Sequence, residues 1–172
     1  MRVEPGLFPR KKGKWEALPS TLHTGTERRG TALTGQYQHS IDAKGRLFIP
    51  AKLREELGET FYVTIDVADP CLTVYSEEGW ERLTKKFEDL PYSKSRQVQR
   101  LIYGNAMKCE PDAQGRILLP QNLRARAKLE KDVMVVGVSR RVEIWNAETW
   151  SELEAQELAS DNMASIMEEL GI

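Results

Sequence analysis

Cysteine, histidine and long apolar runs are all scarce in this sequence, and each scarcity removes a class of function. Only Cys71 and Cys109 occur, one in a β-like run and the other just before a turn motif, with no CxxC or CxxH spacing around either. They read as buried free thiols, so neither a disulfide nor a zinc site is expected. His23 and His39 are too few and too isolated to build a metal site, and His39 is expected at the surface or in packing. No apolar run, Val133 to Val138 included, approaches the roughly 18 residues of a membrane span, and nothing near Met1 resembles a signal peptide. There is no G-x-S-x-G, no Walker loop and no H-E-x-x-H, so nucleophile, base and orienter do not cluster. The expectation is a cytoplasmic protein that is not an enzyme, with no cofactor, no small-molecule substrate and no membrane contact.

What is present is charge, unevenly spread. The formal net charge is −1, which alone argues against a nucleic-acid binder. From Glu143 to Ile172, however, there are eight acids and no Lys or Arg. Lys94, Arg96 and Arg100 sit in a stretch without acids, and Lys44, Arg46, Lys52 and Arg54 face only Asp42 between positions 42 and 54. Local charge, rather than the sum, sets what a surface attracts.

The most informative feature is an internal repeat. Asp42-Ala43-Lys44-Gly45-Arg46-Leu47-Phe48-Ile49-Pro50 recurs as Asp112-Ala113-Gln114-Gly115-Arg116-Ile117-Leu118-Leu119-Pro120, and the match continues through Leu53-Arg54 and Leu123-Arg124. Still seventy residues apart, Val74-Tyr75-Ser76 meets Ile144-Trp145-Asn146, Trp80 meets Trp150 and Leu83 meets Leu153. A constant offset over such a length indicates duplication of one supersecondary unit. Two copies are too few for a solenoid and suit a pseudo-twofold arrangement in which each covers the other's apolar face.

Period and punctuation sketch each copy. Tyr37 to Ile41 alternates as a strand, Asp42 to Gly45 has turn chemistry and Arg46 to Ile49 returns, which predicts a hairpin with its loop at 43–45. Pro50 suits the start of a short helix over Ala51 to Leu57, ended by Gly58. Strands over Phe61 to Asp66 and Cys71 to Tyr75 follow. Ser76, and Asn146 in the second copy, can cap a helix, with Trp80, Leu83, Phe87 and Leu90 as a core stripe in the first copy. Between the copies, Ser93 can cap a helix whose Val98, Leu101 and Ile102 form one face and which Gly104 closes. The acidic tail is expected to pack through Met163, Ile166, Met167 and Leu170.

In the D-A-x-G-R turn each residue type has a physical task. Asp42 and Asp112 can accept hydrogen bonds from backbone N–H groups further along the loop, while Gly45 and Gly115 supply the positive φ of a tight turn. An arginine leaving so rigid a loop loses little further entropy on binding, and its planar fork matches phosphate or the O6/N7 edge of guanine. The same residues also allow a plain surface ion pair between Asp and Arg, worth about 0 to 1 kcal/mol. Asp42 and Asp112 could be drawn as a carboxylate pair for catalysis, but their places at turn starts favour backbone capping.

The segment Gln36 to Arg46, Ile49-Pro50-Ala51-Lys52-Leu53-Arg54, the helix Gln97 to Gly104 and the second motif Asp112 to Pro120 resemble the MraZ family of bacterial transcriptional regulators. The resemblance spans about Thr34 to Leu170. It implies a mainly β fold with short helices, of the α+β class, in which two SpoVT-AbrB modules of the swapped-hairpin type form an intramolecular pseudo-dimeric β-barrel with peripheral helices. It implies a first module at 34–78, linking helices at 79–104, a second module at 105–148 and an acidic C-terminal helix at 149–172. The 33 residues before it are expected to be a disordered basic extension or the result of an upstream start assignment.

The resemblance further implies a nucleoid-associated homo-oligomer, a ring, that binds repeated boxes of double-stranded promoter DNA upstream of the cell-division and cell-wall gene cluster. Carried over by position, the DNA-binding residues are Arg46 and Arg116, with Lys44 beside the first and Gln114 in the matching place of the second. A different class of function stays open: a structural or protein-interaction ring in which the acidic C-terminal helix docks partners and the loops are only surface.

Overall fold

Two prolines and two copies of one turn set the element boundaries. In the computed structural model, which describes residues 32–172, β1 (Gln36–Ser40) enters the Asp42–Gly45 turn and β2 (Arg46–Phe48) leaves it. Pro50 stands immediately before α1 (Ala51–Leu57), and Gly58, at φ 89°, ends that helix by donating its N–H to Arg54 O. The first copy continues with β3 (Phe61–Ile65), β4 (Cys71–Ser76), α2 (Glu77–Glu88) and α3 (Tyr92–Gly104). The second follows the same plan: β5 (Met107–Cys109), β6 (Arg116–Leu118), α4 (Gln121–Arg126), β7 (Asp132–Val138), β8 (Arg141–Asn146), α5 (Ala147–Leu158) and α6 (Asp161–Glu169). The class is α+β, with antiparallel sheets and short helices, as the sequence predicts. The extension assigned to the first 33 positions lies outside the described residues except at its end, where buried Leu33 exchanges backbone hydrogen bonds with Ser139.

The copies fold through one another. The main sheet runs β1-β7-β8-β4-β3-β5, so each copy's first strand pairs with the third strand of the other. At its centre β4 and β8 pair with Thr73 opposite Glu143, and in a separate two-stranded ribbon β2 and β6 pair with Leu47 opposite Ile117. Both pairs are repeat equivalents, seventy positions apart, so a pseudo-twofold axis passes through the two sites. One apolar cluster draws on both copies, with Leu47, Ile49, Leu53 and Phe61 packed together with Ile117, Leu119, Leu123 and Val133. An isolated two-stranded hairpin is marginal in water, and exchange of strands gives each apolar face a cover.

That exchange is the swapped arrangement the family resemblance implies, and it corrects several expectations drawn from local pattern. The hairpin over 37–49 does not form a ladder: the turn closes through Asp42 N–H to Arg46 O and Gly45 N–H to Asp42 O, and then β1 and β2 part toward different partners. Strand pairing ends at β1 and β5, so the main sheet is open at those edges rather than closed into a barrel. Helix α3 begins at Tyr92 behind Pro91 with no side-chain cap, because proline's fixed φ already starts the turn that Ser93 was expected to cap. Ile102 is buried, whereas Leu101 and Leu90 are exposed. The tail forms two helices, and Met163, Ile166 and Met167 on α6 and Leu170 at its C-cap are exposed rather than packed, since the core is closed by the two copies without them.

Other local expectations hold. Ser76 Oγ accepts from Gly79 N–H, and Asn146 Oδ1 accepts from the N–H groups of Glu148 and Thr149. Cys71 and Cys109 are buried free thiols, and burial pushes the Cys109 thiol up to about 12. Among the described residues no helix is long and apolar enough to cross a membrane.

Candidate nucleic-acid interface

Each turn is held by its aspartate in nearly the same way. Asp42 Oδ1 accepts from the N–H groups of Lys44 (3.0 Å) and Arg46 (2.9 Å), and Oδ2 accepts from Arg46 Nε at 2.6 Å. Asp112 Oδ1 accepts from Gln114 N–H (2.9 Å) and Arg116 N–H (3.0 Å), and Oδ2 accepts from Arg116 Nε at 2.9 Å. In both cases the arginine's backbone N–H is the chief influence holding the carboxyl below the usual carboxylate range. The lowered value fixes the sign: the turn bonds are complete at neutral pH and are lost only as pH falls through that depressed value.

Both readings of the turn thus coexist. The Asp–Arg pair forms, as a bare surface ion pair would require, yet it engages the inner side of the guanidinium. The arginine side chains keep 32% (Arg46) and 28% (Arg116) of their surface exposed. Among the described residues, Arg46 keeps both terminal nitrogens without a protein partner and so offers a fork to an anion, whereas Arg116, whose Nη2 also pairs with Asp112, keeps Nη1.

The ribbon gathers the two turns into one surface. In its register Arg46 stands opposite Leu118 and Phe48 opposite Arg116, so these four share the outer face while Leu47 and Ile117 point into the core. Backbone bonds extend the pairing into the turns themselves: Ile49 N–H donates to Gly115 O and Leu119 N–H to Gly45 O, at 2.9 and 2.8 Å. Lys44 and Gln114 are exposed at the turn tips, and Gly45 and Gly115, at φ 81° and 77°, are buried beneath them. All eight residues singled out from the sequence lie in these two linked turns.

Arg54 and Arg124 were legible as repeated residues but not as part of this surface. Arg54 Nε donates to Ile49 O, and its guanidinium lies where a side chain on Gly115 would have to go, 2.7 Å from an added Cβ. Arg124 Nε donates to Leu119 O and takes the equivalent place 3.3 Å from an added Cβ on Gly45. Each turn therefore carries an arginine of its own and rests against one from the other copy. Only the exchange of strands produces that crossing, which no spacing within one copy signals.

The family model described as MraZ protein matches the chain twice, over residues 32–101 and 102–169. The chain belongs to the MraZ family. Its similarity to individual MraZ proteins extends over most of both chains. It is 49% identical over 143 residues to a transcriptional regulator MraZ of Thermoanaerobacter sp. (strain X514), covering 81% of this chain and 99% of that protein. It is 49% identical over 138 residues to that of Heliobacterium modesticaldum, covering 79% and 94%. It is 52% identical over 122 residues to that of Caldanaerobacter subterraneus subsp. tengcongensis, covering 70% and 85%. The two MraZ matches meet between 101 and 102, inside α3, so each takes in one complete turn, Asp42 to Arg46 or Asp112 to Arg116.

Proposed function

We propose that the protein is a transcription regulator that binds double-stranded DNA with the outer face of the β2–β6 ribbon. The observation that carries this reading is the pair of rigid turns, Asp42 to Arg46 and Asp112 to Arg116, joined in one ribbon with both arginine side chains partly exposed. A two-stranded β-ribbon fits the major groove of B-DNA, and arginine forks suit phosphate and guanine edges. Arg46 and Arg116 are the principal contacts in this proposal. Lys44 adds a phosphate contact, Gln114 a polar one, and Asp42, Gly45, Asp112 and Gly115 hold the loops. The MraZ relatives named as transcriptional regulators support it.

The finer proposal is that two SpoVT-AbrB modules, 34–78 and 105–148, act within a nucleoid-associated homo-oligomeric ring on repeated boxes upstream of the cell-division and cell-wall gene cluster. One ribbon offers few phosphate contacts, and a ring that sets several along spaced repeats gains by avidity. The exposed apolar side chains Met163, Ile166 and Met167 on α6 and Leu170 at its C-cap favour self-association. The same observation favours a second reading, a ring that binds proteins and no DNA.

Gel shifts on the DNA immediately upstream of the protein's own gene, at several salt concentrations, separate the two. Arg46→Ala is expected to abolish operator binding while the thermal transition is kept, and Arg116→Ala to weaken it. Unchanged affinity for Arg46→Ala removes the assignment of Arg46 as a DNA contact, whereas wild-type binding that is absent or insensitive to salt favours the protein-binding ring.

A further inference from the structure

Leu118 lies on the outer face of the ribbon, directly opposite Arg46 and two residues along from Arg116. It is 58% exposed, whereas Ile117 beside it is 3% exposed. Its counterpart in the first copy, Phe48, is sheltered: the His39 ring packs 5.2 Å from its centroid and the Arg54 guanidinium lies 5.7 Å above it. The core does not need an apolar residue at 118, because the inward side of β6 is filled by Ile117. Yet an uncovered leucine stands among the ribbon's cations.

We propose that Leu118 reads sequence, its methyl groups meeting the C5-methyl of a thymine in the major groove while Arg46 beside it holds phosphate or guanine. This rests on the DNA-binding reading of the ribbon. The thymine methyl is the one apolar feature that a base pair presents in that groove, and apolar side chains recognise it by contact. Charge complementarity selects the occupant: Arg46, Arg116 and Lys44 on the same surface call for a polyanion. A two-stranded ribbon also has the width to bring a side chain on its outer face to the base edges. Phe48, covered by His39 and Arg54, is withheld from such contact, so apolar readout is confined to the Arg46 end.

The test uses the full chain and a duplex that the wild-type protein selects from a random-sequence pool. Each thymine of that duplex is replaced in turn by deoxyuridine, which removes only the C5-methyl group, and affinities are measured for wild type and for Leu118→Ala. One replacement is expected to weaken wild-type binding about fourfold, the worth of roughly one buried methyl group, and to leave Leu118→Ala binding unchanged. Equal losses in both proteins at that thymine, or no loss at any thymine in either, overturn the proposal while the DNA reading stands. A changed oligomeric mass for Leu118→Ala in analytical ultracentrifugation assigns the leucine to a contact between copies and also overturns it. Recovery of no duplex by wild type at low salt removes the DNA reading itself, a result distinct from the others.

Discussion

At one end of the ribbon Arg46 is accompanied by Lys44 at the turn tip and by the uncovered Leu118, with Arg124 against its glycine. At the other end Arg116 is accompanied by Gln114 and by Phe48, which His39 and Arg54 cover. The inner parts of the two ends are alike: the same aspartate bonds, the same positive-φ glycine, and Leu47 meeting Ile117 on the axis. Along the ribbon and its turns, inward positions differ only by exchange of isomeric side chains, Leu47 for Ile117 and Ile49 for Leu119, and changes of size or charge are confined to residues that face outward. Packing across a pseudo-twofold axis penalises changes to either inner half, whereas the outer positions are free to differ. A single chain thereby gains an asymmetric surface that two identical modules could not present.

The largest test of that comparison lies on the axis. Leu47→Ala and Ile117→Ala each remove a side chain from the shared cluster, and each is expected to destabilise the protein by about 2 to 5 kcal/mol. In urea or guanidinium both variants should unfold in one transition and lie within about 2 kcal/mol of each other, the usual spread among such truncations in different surroundings. Two separate transitions, or a loss confined to one variant, break the claim that the copies share one core.

The inner symmetry was also the part most legible in the sequence. Turns at Asp42 and Asp112, helix α1 ended at Gly58, and the caps at Ser76 and Asn146 all follow from local chemistry, which a residue and its near neighbours decide. Strand partnership did not follow from local pattern, because β1 and β2 carry the same alternation whether they pair with each other or with the other copy; only the family resemblance implied that the hairpins are swapped. The crossing of Arg54 and Arg124 stayed hidden for the same reason. Exposure was misjudged on α6, where Met163 to Leu170 have a helical apolar face but no partner among the described residues. Periodicity records which residues share a face and says nothing of what covers it.

A smaller effect distinguishes the two glycines. Alanine at 45 or 115 must hold a positive φ, with an expected loss of about 1 to 3 kcal/mol in either case. At Gly115 the new Cβ also meets the Arg54 guanidinium at 2.7 Å, whereas at Gly45 its nearest neighbour is Leu119 O at 3.2 Å. Arg54→Ala should therefore relieve part of the Gly115→Ala loss, giving a double-mutant coupling of about 0.5 kcal/mol or more. The Gly45 and Arg124 pair should be closer to additive, and equal couplings at both ends contradict the difference in packing.

The smallest expected effect addresses the tips, where the chain sets Lys44 against Gln114. Each phosphate neutralised on B-DNA contributes about 0.9 to the slope of log affinity against log salt. If Lys44 meets a phosphate, Lys44→Gln makes the slope shallower by about that amount, and Gln114→Lys makes it steeper if the second tip reaches DNA as well. Neither substitution touches the aspartate bonds, which use the backbone N–H of these residues and not their side chains. The exchange Lys44→Gln with Gln114→Lys then decides whether the ends are equivalent toward phosphate. A slope restored to the wild-type value means that both tips lie along the backbone and that the asymmetry of the surface resides in Leu118 and Phe48. A slope left at the Lys44→Gln value means that only the Arg46 end reaches the duplex.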